Sequence, residues 1–208
     1  MILSWNDWAT RDQDYDLILF DKSGGFLAKA EDFQTGQPGQ RAAELIFYQF
    51  TRADTYLLAV QNREGQARGD ATLDIFVYNA QLPAQFQVAE ASLGTPADAR
   101  GAFTIGAVNW SNDVLEPYSS QGPTNDGRIK PDLVAPSAVK SASYKPFFDG
   151  TSAATPHVAG AAALALQALP DATPETLIQL FQSRAIKLGA AAPNNKFGAG
   201  RLNLGEGP

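Results

Sequence analysis

The chain has 208 residues, 44% of them hydrophobic and 18% charged, which is enough apolar content for one globular core or two small ones. Its 16 basic and 22 acidic side chains leave a net charge of −6 without any cluster of Lys or Arg, which excludes nucleic acid and anionic membrane as partners. It has no cysteine, so disulfides, thiolate chemistry and Cys-bound zinc are excluded, while the redox compartment stays open.

In chain order, Met1 to Asp7 lacks the basic and apolar regions of a signal peptide, and the sequence reads as starting part-way through a larger protein. The longest run of small apolar residues, Val158 to Leu166, is about half the roughly 20 residues that a membrane span requires. Up to about Ala89, short apolar stretches alternate with turn residues, the spacing of an all-β sandwich or jelly-roll-like module. The predicted strands are Ile2 to Trp8, Asp16 to Phe20, Leu27 to Phe33, Ala43 to Phe50, Tyr56 to Gln61, Thr72 to Tyr78 and Gln85 to Ala89. Turns fall at Lys22-Ser23-Gly24-Gly25, Gly36-Gln37-Pro38-Gly39 and Arg63-Glu64-Gly65. The domain reading is therefore a β module over 1–89 followed by an α/β layer architecture over 90–208.

In the second part, Phe103 to Asn109 and Leu133 to Ala135 read as buried strands, separated by the polar loop Ser119 to Gly127. Thr151 to Leu169 has helical length and consists almost wholly of Ala, Gly, Val and Leu, which predicts a central helix buried on every side. Thr173-Pro174-Glu175 gives an N-cap with Pro at the first helical position, and Leu177, Ile178, Leu180 and Phe181 supply the apolar face of a second helix.

The most informative stretch is Gly150-Thr151-Ser152-Ala153-Ala154-Thr155-Pro156-His157-Val158-Ala159-Gly160. Ser152 stands where loop becomes helix, and there the unpaired N–H groups and the macrodipole favour an alkoxide or oxyanion. Small neighbours leave room for a substrate, and Pro156 is placed in the first turn, where a missing N–H costs nothing. An isolated Ser before a helix is ordinarily an N-cap and nothing more. The eleven residues together resemble the serine motif of the subtilase family of serine proteases. Tyr118-Ser119-Ser120-Gln121-Gly122-Pro123, Lys130-Pro131-Asp132-Leu133-Val134-Ala135-Pro136 and Phe197-Gly198-Ala199-Gly200-Arg201-Leu202-Asn203 are similar to family segments in the family's order. The resemblance covers Glu90 to Leu204, as the C-terminal part of the family's parallel-sheet α/β catalytic domain. One departure is Ser137, where the family usually has Gly after Ala-Pro.

The resemblance implies hydrolysis of peptide bonds by a Ser/His/Asp triad with Ser152 as nucleophile and its N–H as one oxyanion donor. In the family the Asp and His precede the Ser, and no Asp-Ser-Gly, Asp-Thr-Gly or His-Gly-Thr occurs here. His157, the one histidine, belongs to the serine motif itself and is assigned to helix packing; Asp149 cannot replace a general base. Loss of the His or the Ser from a subtilisin triad costs on the order of a millionfold in turnover, so this chain by itself is expected to be inactive. No cofactor is required by that chemistry.

The resemblance also runs through Ser92-Leu93-Gly94-Thr95-Pro96-Ala97-Asp98, beside the family's primary specificity pocket. Gly94 is then either the base of an open pocket for large apolar side chains or a plain turn glycine. The carbonyls of Ala97, Ala99 and Ala102 with Asp132 resemble a weak cation site of the family. In the β module, Asp12, Asp14 and Asp16 alternate as Ca²⁺ ligands would, or as solvated surface charge. Trp5 and Trp8 fit a ligand platform or the core of a small sandwich.

The partners implied are a protein or peptide substrate and the upstream part of the catalytic domain, in an extracellular or periplasmic location. Two other classes stand beside the protease: a non-catalytic pseudoprotease scaffold, and a β module binding carbohydrate or Ca²⁺. A parallel sheet cut in half would expose strand edges, which predicts oligomerisation, swapping or marginal stability.

Overall fold

The computed structural model describes residues 1–63 and 67–205, so the predicted turn at Arg63-Glu64-Gly65 lies largely outside the described residues. The chain divides into two compact units, Met1–Gln87 and Val88–Pro208. Together they make a mixed α/β chain, with antiparallel sheets in the first unit and a small parallel sheet with helices in the second.

The first unit holds β1 (Ile2–Trp5), β2 (Tyr15–Asp21), β3 (Phe26–Ala30), β4 (Ala43–Leu45), β5 (Tyr56–Asn62) and β6 (Leu73–Phe76). They form two three-stranded antiparallel sheets, ordered β4-β1-β6 and β3-β2-β5. Period-two alternation puts Leu3 and Trp5 of β1 into the same core as Tyr15, Leu17 and Leu19 of β2, with Ala42 and Ile46 between them. Trp5 meets Tyr15 edge to face at 5.3 Å, so Trp5 is core, whereas Trp8 is exposed.

Several predicted strands are too long. The first ends at Trp5 because the Asp7 carboxylate turns the chain, accepting the Asp12 and Gln13 amides at 2.8 and 2.9 Å. The fourth stops at Leu45, and Phe47 beyond it is 92% exposed. The seventh, Gln85 to Ala89, is absent: Ala84–Phe86 forms a 3-10 turn, and residues 84–89 are exposed, with no face to bury against a sheet.

The solvated-charge reading of the alternating aspartates holds for Asp12, which is half exposed, and fails for the other two. Asp14 and Asp16 are 0% and 1% exposed, so they are not solvated. Asp16 sits 3.1 Å from Lys29 Nζ, Arg63 lies 3.9 Å from Asp14 and 3.7 Å from Asp16, and Asp12 holds Arg68 at 2.7 Å. Side-chain cations thus answer the charge a metal would have answered. Among the described residues no group of three His, Cys, Asp or Glu side chains could hold a metal ion.

In the second unit β7 (Ile105–Asn109) and β8 (Leu133–Ser137) pair in parallel, followed by α1 (Thr151–Ala168) and α2 (Pro174–Arg184). The unbroken apolar runs Ile105 to Val108 and Leu133 to Ala135 are what a strand covered on both faces requires. Ala154, Val158, Ala161 and Ala165 press α1 onto this sheet, their small side chains allowing close approach. At α2 the Thr173 hydroxyl accepts the Thr176 amide, Pro174 occupies the first position, and Phe181 anchors the helix at 2% exposure.

Helix α1 is not buried all round. A two-stranded sheet covers one face only, and Leu164 and Leu166 on the other are 59% and 40% exposed. Pro156 lies in the second turn, not the first, and so removes the amide that would have bonded the Ser152 carbonyl. The strand edges are less open than the sequence suggests. Asn109 N donates to Val114 O and Glu116 N to Ala107 O along β7, while Val134 N donates to Gly200 O and Leu202 N to Val134 O along β8. The unit therefore caps much of its own sheet.

Candidate active site

Gly150 ends the loop before α1 with φ +100° and ψ 163°, a backbone conformation that an L side chain resists. Its carbonyl starts the helix by accepting the Ala153 and Ala154 amides at 2.9 and 3.4 Å. The preceding N–H groups, those of Thr151 and Ser152, have no acceptor among the described residues. Ser152 is exposed, and its hydroxyl likewise has no hydrogen-bond partner among those residues, so it is not an N-cap. Two free donors at the positive end of an 18-residue helix therefore flank a free hydroxyl, an arrangement that stabilises negative charge developing there.

A cleft of about 320 Å³ opens in this unit, with Thr151 and Thr155 of α1 in its wall. Leu93, Pro96, Ala102, Phe103, Ile105 and Pro131 make its lining chiefly apolar. Gly94 lines it too, and a Cβ built there meets nothing within 4 Å, so the glycine leaves the cleft open.

His157 is exposed on α1 and not packed as expected; its Nδ1 lies 2.8 Å from the Ala153 carbonyl. A carbonyl only accepts, so Nδ1 carries the proton and the ring is turned along its own helix. Of the Ala97, Ala99, Ala102 and Asp132 oxygens, those of Ala102 and Asp132 hold the Lys130 ammonium. Lys130 Nζ donates to Ala102 O at 2.6 Å and to Asp132 Oδ2 at 2.5 Å. Asp132 Oδ2 also accepts the Thr104 amide at 2.6 Å, the Thr104 hydroxyl donates to Ala97 O, and Ala99 O accepts the Ala102 amide. Ala102 O and Asp132 Oδ2 are thus answered by the lysine charge, while Ala97 O and Ala99 O are answered by neutral donors. Lys130 was missed from sequence because nothing local to Lys130-Pro131-Asp132 says that the lysine turns inward.

A second unanticipated contact lies under the helix start: Ser137 Oγ, fully buried, is 2.8 Å from the Tyr118 hydroxyl and 3.1 Å from Gly150 O. The polar loop beyond Ser119 is organised by Asp126, whose carboxyl is held down to about 2 by Arg128 and Thr124 hydrogen bonds.

An exposed serine in the first turn of a helix, with free amides and an apolar cleft beside it, has the geometry of the nucleophile side of a serine hydrolase. Comparison with known proteins narrows the class. The model of the subtilase family matches residues 50–200, and the chain belongs to that family. The match reaches further upstream than the expected 90–204, into the first unit. Serine protease AprX of Bacillus subtilis is 32% identical over 136 residues, covering 54% of this chain and 30% of its own length. Subtilisin E of the same organism is 35% identical over 113 residues, covering 54% of this chain and 28% of its own length. A solved structure of the CspB protease of Clostridium perfringens superimposes with a TM-score of 0.62 at 22% identity, covering 98% of this chain and 50% of that one. The fold is thus shared across both units, and the chain spans half or less of each of these relatives.

Proposed function

We propose that this chain supplies the nucleophile, one wall of the specificity cleft and one oxyanion donor of a subtilisin-like serine endopeptidase, and that a segment outside Met1–Pro208 supplies the His and Asp. The observation that carries this is the free Ser152 hydroxyl between unsatisfied amides and the apolar cleft. Ser152 Oγ adds to the substrate carbonyl while a His ring takes its proton, and the Ser152 N–H receives the oxyanion. The amine leaves with that proton, and water then releases the acyl group. His157 is not that base, because its ring is bonded to Ala153 one turn below. The substrate is a protein or peptide with a large apolar side chain before the scissile bond, which suits a cleft left open at Gly94.

On this reading residues 1–89 are a β-sandwich module inserted into the catalytic domain, supported by two three-stranded sheets around one core, and residues 90–208 are the domain's serine-bearing remainder. No cofactor takes part, and the enzyme works outside the cytoplasm. The exposed Leu164 and Leu166 are then the seam for the missing part of the domain, or for a second copy of the chain where that part is absent. A second reading is a pseudoprotease scaffold, in which no His and Asp complete the site around Ser152.

Fluorophosphonate labelling followed by intact mass separates the two. We expect no label on this chain, a label on a chain extended through the coding sequence before Met1, and loss of that label in Ser152→Ala. An extended chain that stays unlabelled overturns the protease reading in favour of the scaffold.

A further inference from the structure

The start of α1 is held from below by two hydroxyl groups. The direction of their hydrogen bonds follows from what each atom can do. Gly150 O only accepts, so Ser137 must spend its single O–H on that carbonyl, at 3.1 Å. Ser137 Oγ is then an acceptor toward Tyr118, and the tyrosine O–H donates to it at 2.8 Å. The relay runs one way, from Tyr118 to Ser137 to the Gly150 carbonyl, and each donor strengthens the next.

Where that relay ends matters more than its length. Gly150 O is also the acceptor of the first two helical bonds, from Ala153 and Ala154. The Gly150–Thr151 peptide is a rigid plane in which the N–H points opposite to the C=O. Fixing the carbonyl toward Ser137 therefore aims the Thr151 N–H away from the sheet and fixes the entry of Ser152 into the helix. Ser137 is itself fixed: it is 0% exposed, closes β8, is paired with Asn109 of β7, and accepts the Trp110 amide at 3.2 Å on its carbonyl. A glycine held at φ +100° has wide freedom by itself, and the hydroxyl contact selects one orientation from it.

We infer that Ser137 and Tyr118 are positioning residues that lock the Gly150 carbonyl and so preorganise Ser152 and the amides beside it. The inference deepens the proposed function, since its kinetic consequence rests on Ser152 being the nucleophile. Its structural consequence does not.

The test accordingly has two arms. In the 208-residue chain, amide hydrogen exchange over residues 153–155 is compared for the parent, Ser137→Ala, Ser137→Thr and Tyr118→Phe, with exchange in β8 and α2 as the control for folding. Ser137→Ala should speed exchange in the first turn of α1 about tenfold, the factor expected from losing one buried hydrogen bond. Tyr118→Phe should do so by less, because Ser137 keeps its own donor, and Ser137→Thr should restore the parent rate. In the upstream-extended chain, the same order should appear in the rate of fluorophosphonate labelling, with kcat falling and KM unchanged. First-turn exchange in Ser137→Ala equal to the parent's, with β8 and α2 protected in both, overturns the inference. So does failure of Ser137→Thr to restore it. A parent extended chain that never labels overturns the proposed function instead, and the exchange arm still decides whether the relay holds the helix start.

Discussion

Replacing Lys130 by Met tests how much the buried Lys130–Asp132 pair contributes to the second unit. The lysine side chain is 4% exposed and the Asp132 carboxylate 20%. Lys130→Met would leave that carboxylate with only the Thr104 amide and would strip Ala102 O of its donor. Removing one partner of a buried pair costs roughly 3–5 kcal/mol, and the partial exposure of Asp132 together with its remaining hydrogen bond points to about 3 kcal/mol. Both helices belong to the second unit, so circular dichroism at the helix band reads that unit's urea unfolding. With a denaturant slope of about 2 kcal/mol per molar, the midpoint should fall by about 1.5 M. The double variant Lys130→Met/Asp132→Asn, which removes the stranded charge, should recover at least half of that loss. A loss below about 1 kcal/mol, or a double variant no more stable than the single one, would refute the idea that the pair holds the cleft floor.

Two further outcomes follow from other parts of the chain. Gly94→Val should leave stability unchanged, since its first added carbon meets open space, yet in the upstream-extended enzyme it should cut cleavage after Phe or Leu relative to Ala by about tenfold, read as kcat/KM on matched peptides. In the first unit, burial pushes the Glu44 carboxyl up from 4.5 to about 7, partly offset by the Gln34 amide at 3.1 Å. Between those values the folded unit keeps a proton that the unfolded chain has released, so stability is greatest at the acid end and declines as pH rises. The loss should approach about 3 kcal/mol by pH 8 and should vanish in Glu44→Gln, as read by tryptophan fluorescence in denaturant at pH 5 and pH 8.

Much of the architecture was legible because it is written in local rules. Thr173-Pro174 marks the start of α2 through capping and proline geometry, and the structure begins that helix at Pro174. The strands from β1 to β6 announce themselves by alternation and bounding turns, although Asp7 ends the first early by capping amides from further along the chain. Failure came where the partner of a segment decided its state. Gln85 to Ala89 has strand-like composition but is exposed throughout and meets another segment at Ala89 O, which accepts the Gln121 amide at 3.3 Å, and it forms a 3-10 turn and extended coil. Helix α1 has the composition of a fully buried helix, yet the sheet in this chain can cover only one side of it.

The candidate site divides along the same line. Sequence alone determined that Ser152 follows a glycine at a helix start within a subtilase motif, because chain continuity places Gly150, Thr151 and Ser152 together. Only the tertiary structure decided that Lys130 turns inward onto Ala102 O and Asp132, and that Ser137 with Tyr118 holds Gly150 from below. Asp14 and Asp16 were likewise readable as carboxylates but not as buried ones answered by Lys29 and Arg63. The physical reason is common to all three. Periodicity and caps are set by residues within a few positions of one another, whereas the partner of a buried polar group is whichever donor or acceptor the closed fold brings within about 3 Å, often from a distant strand or loop.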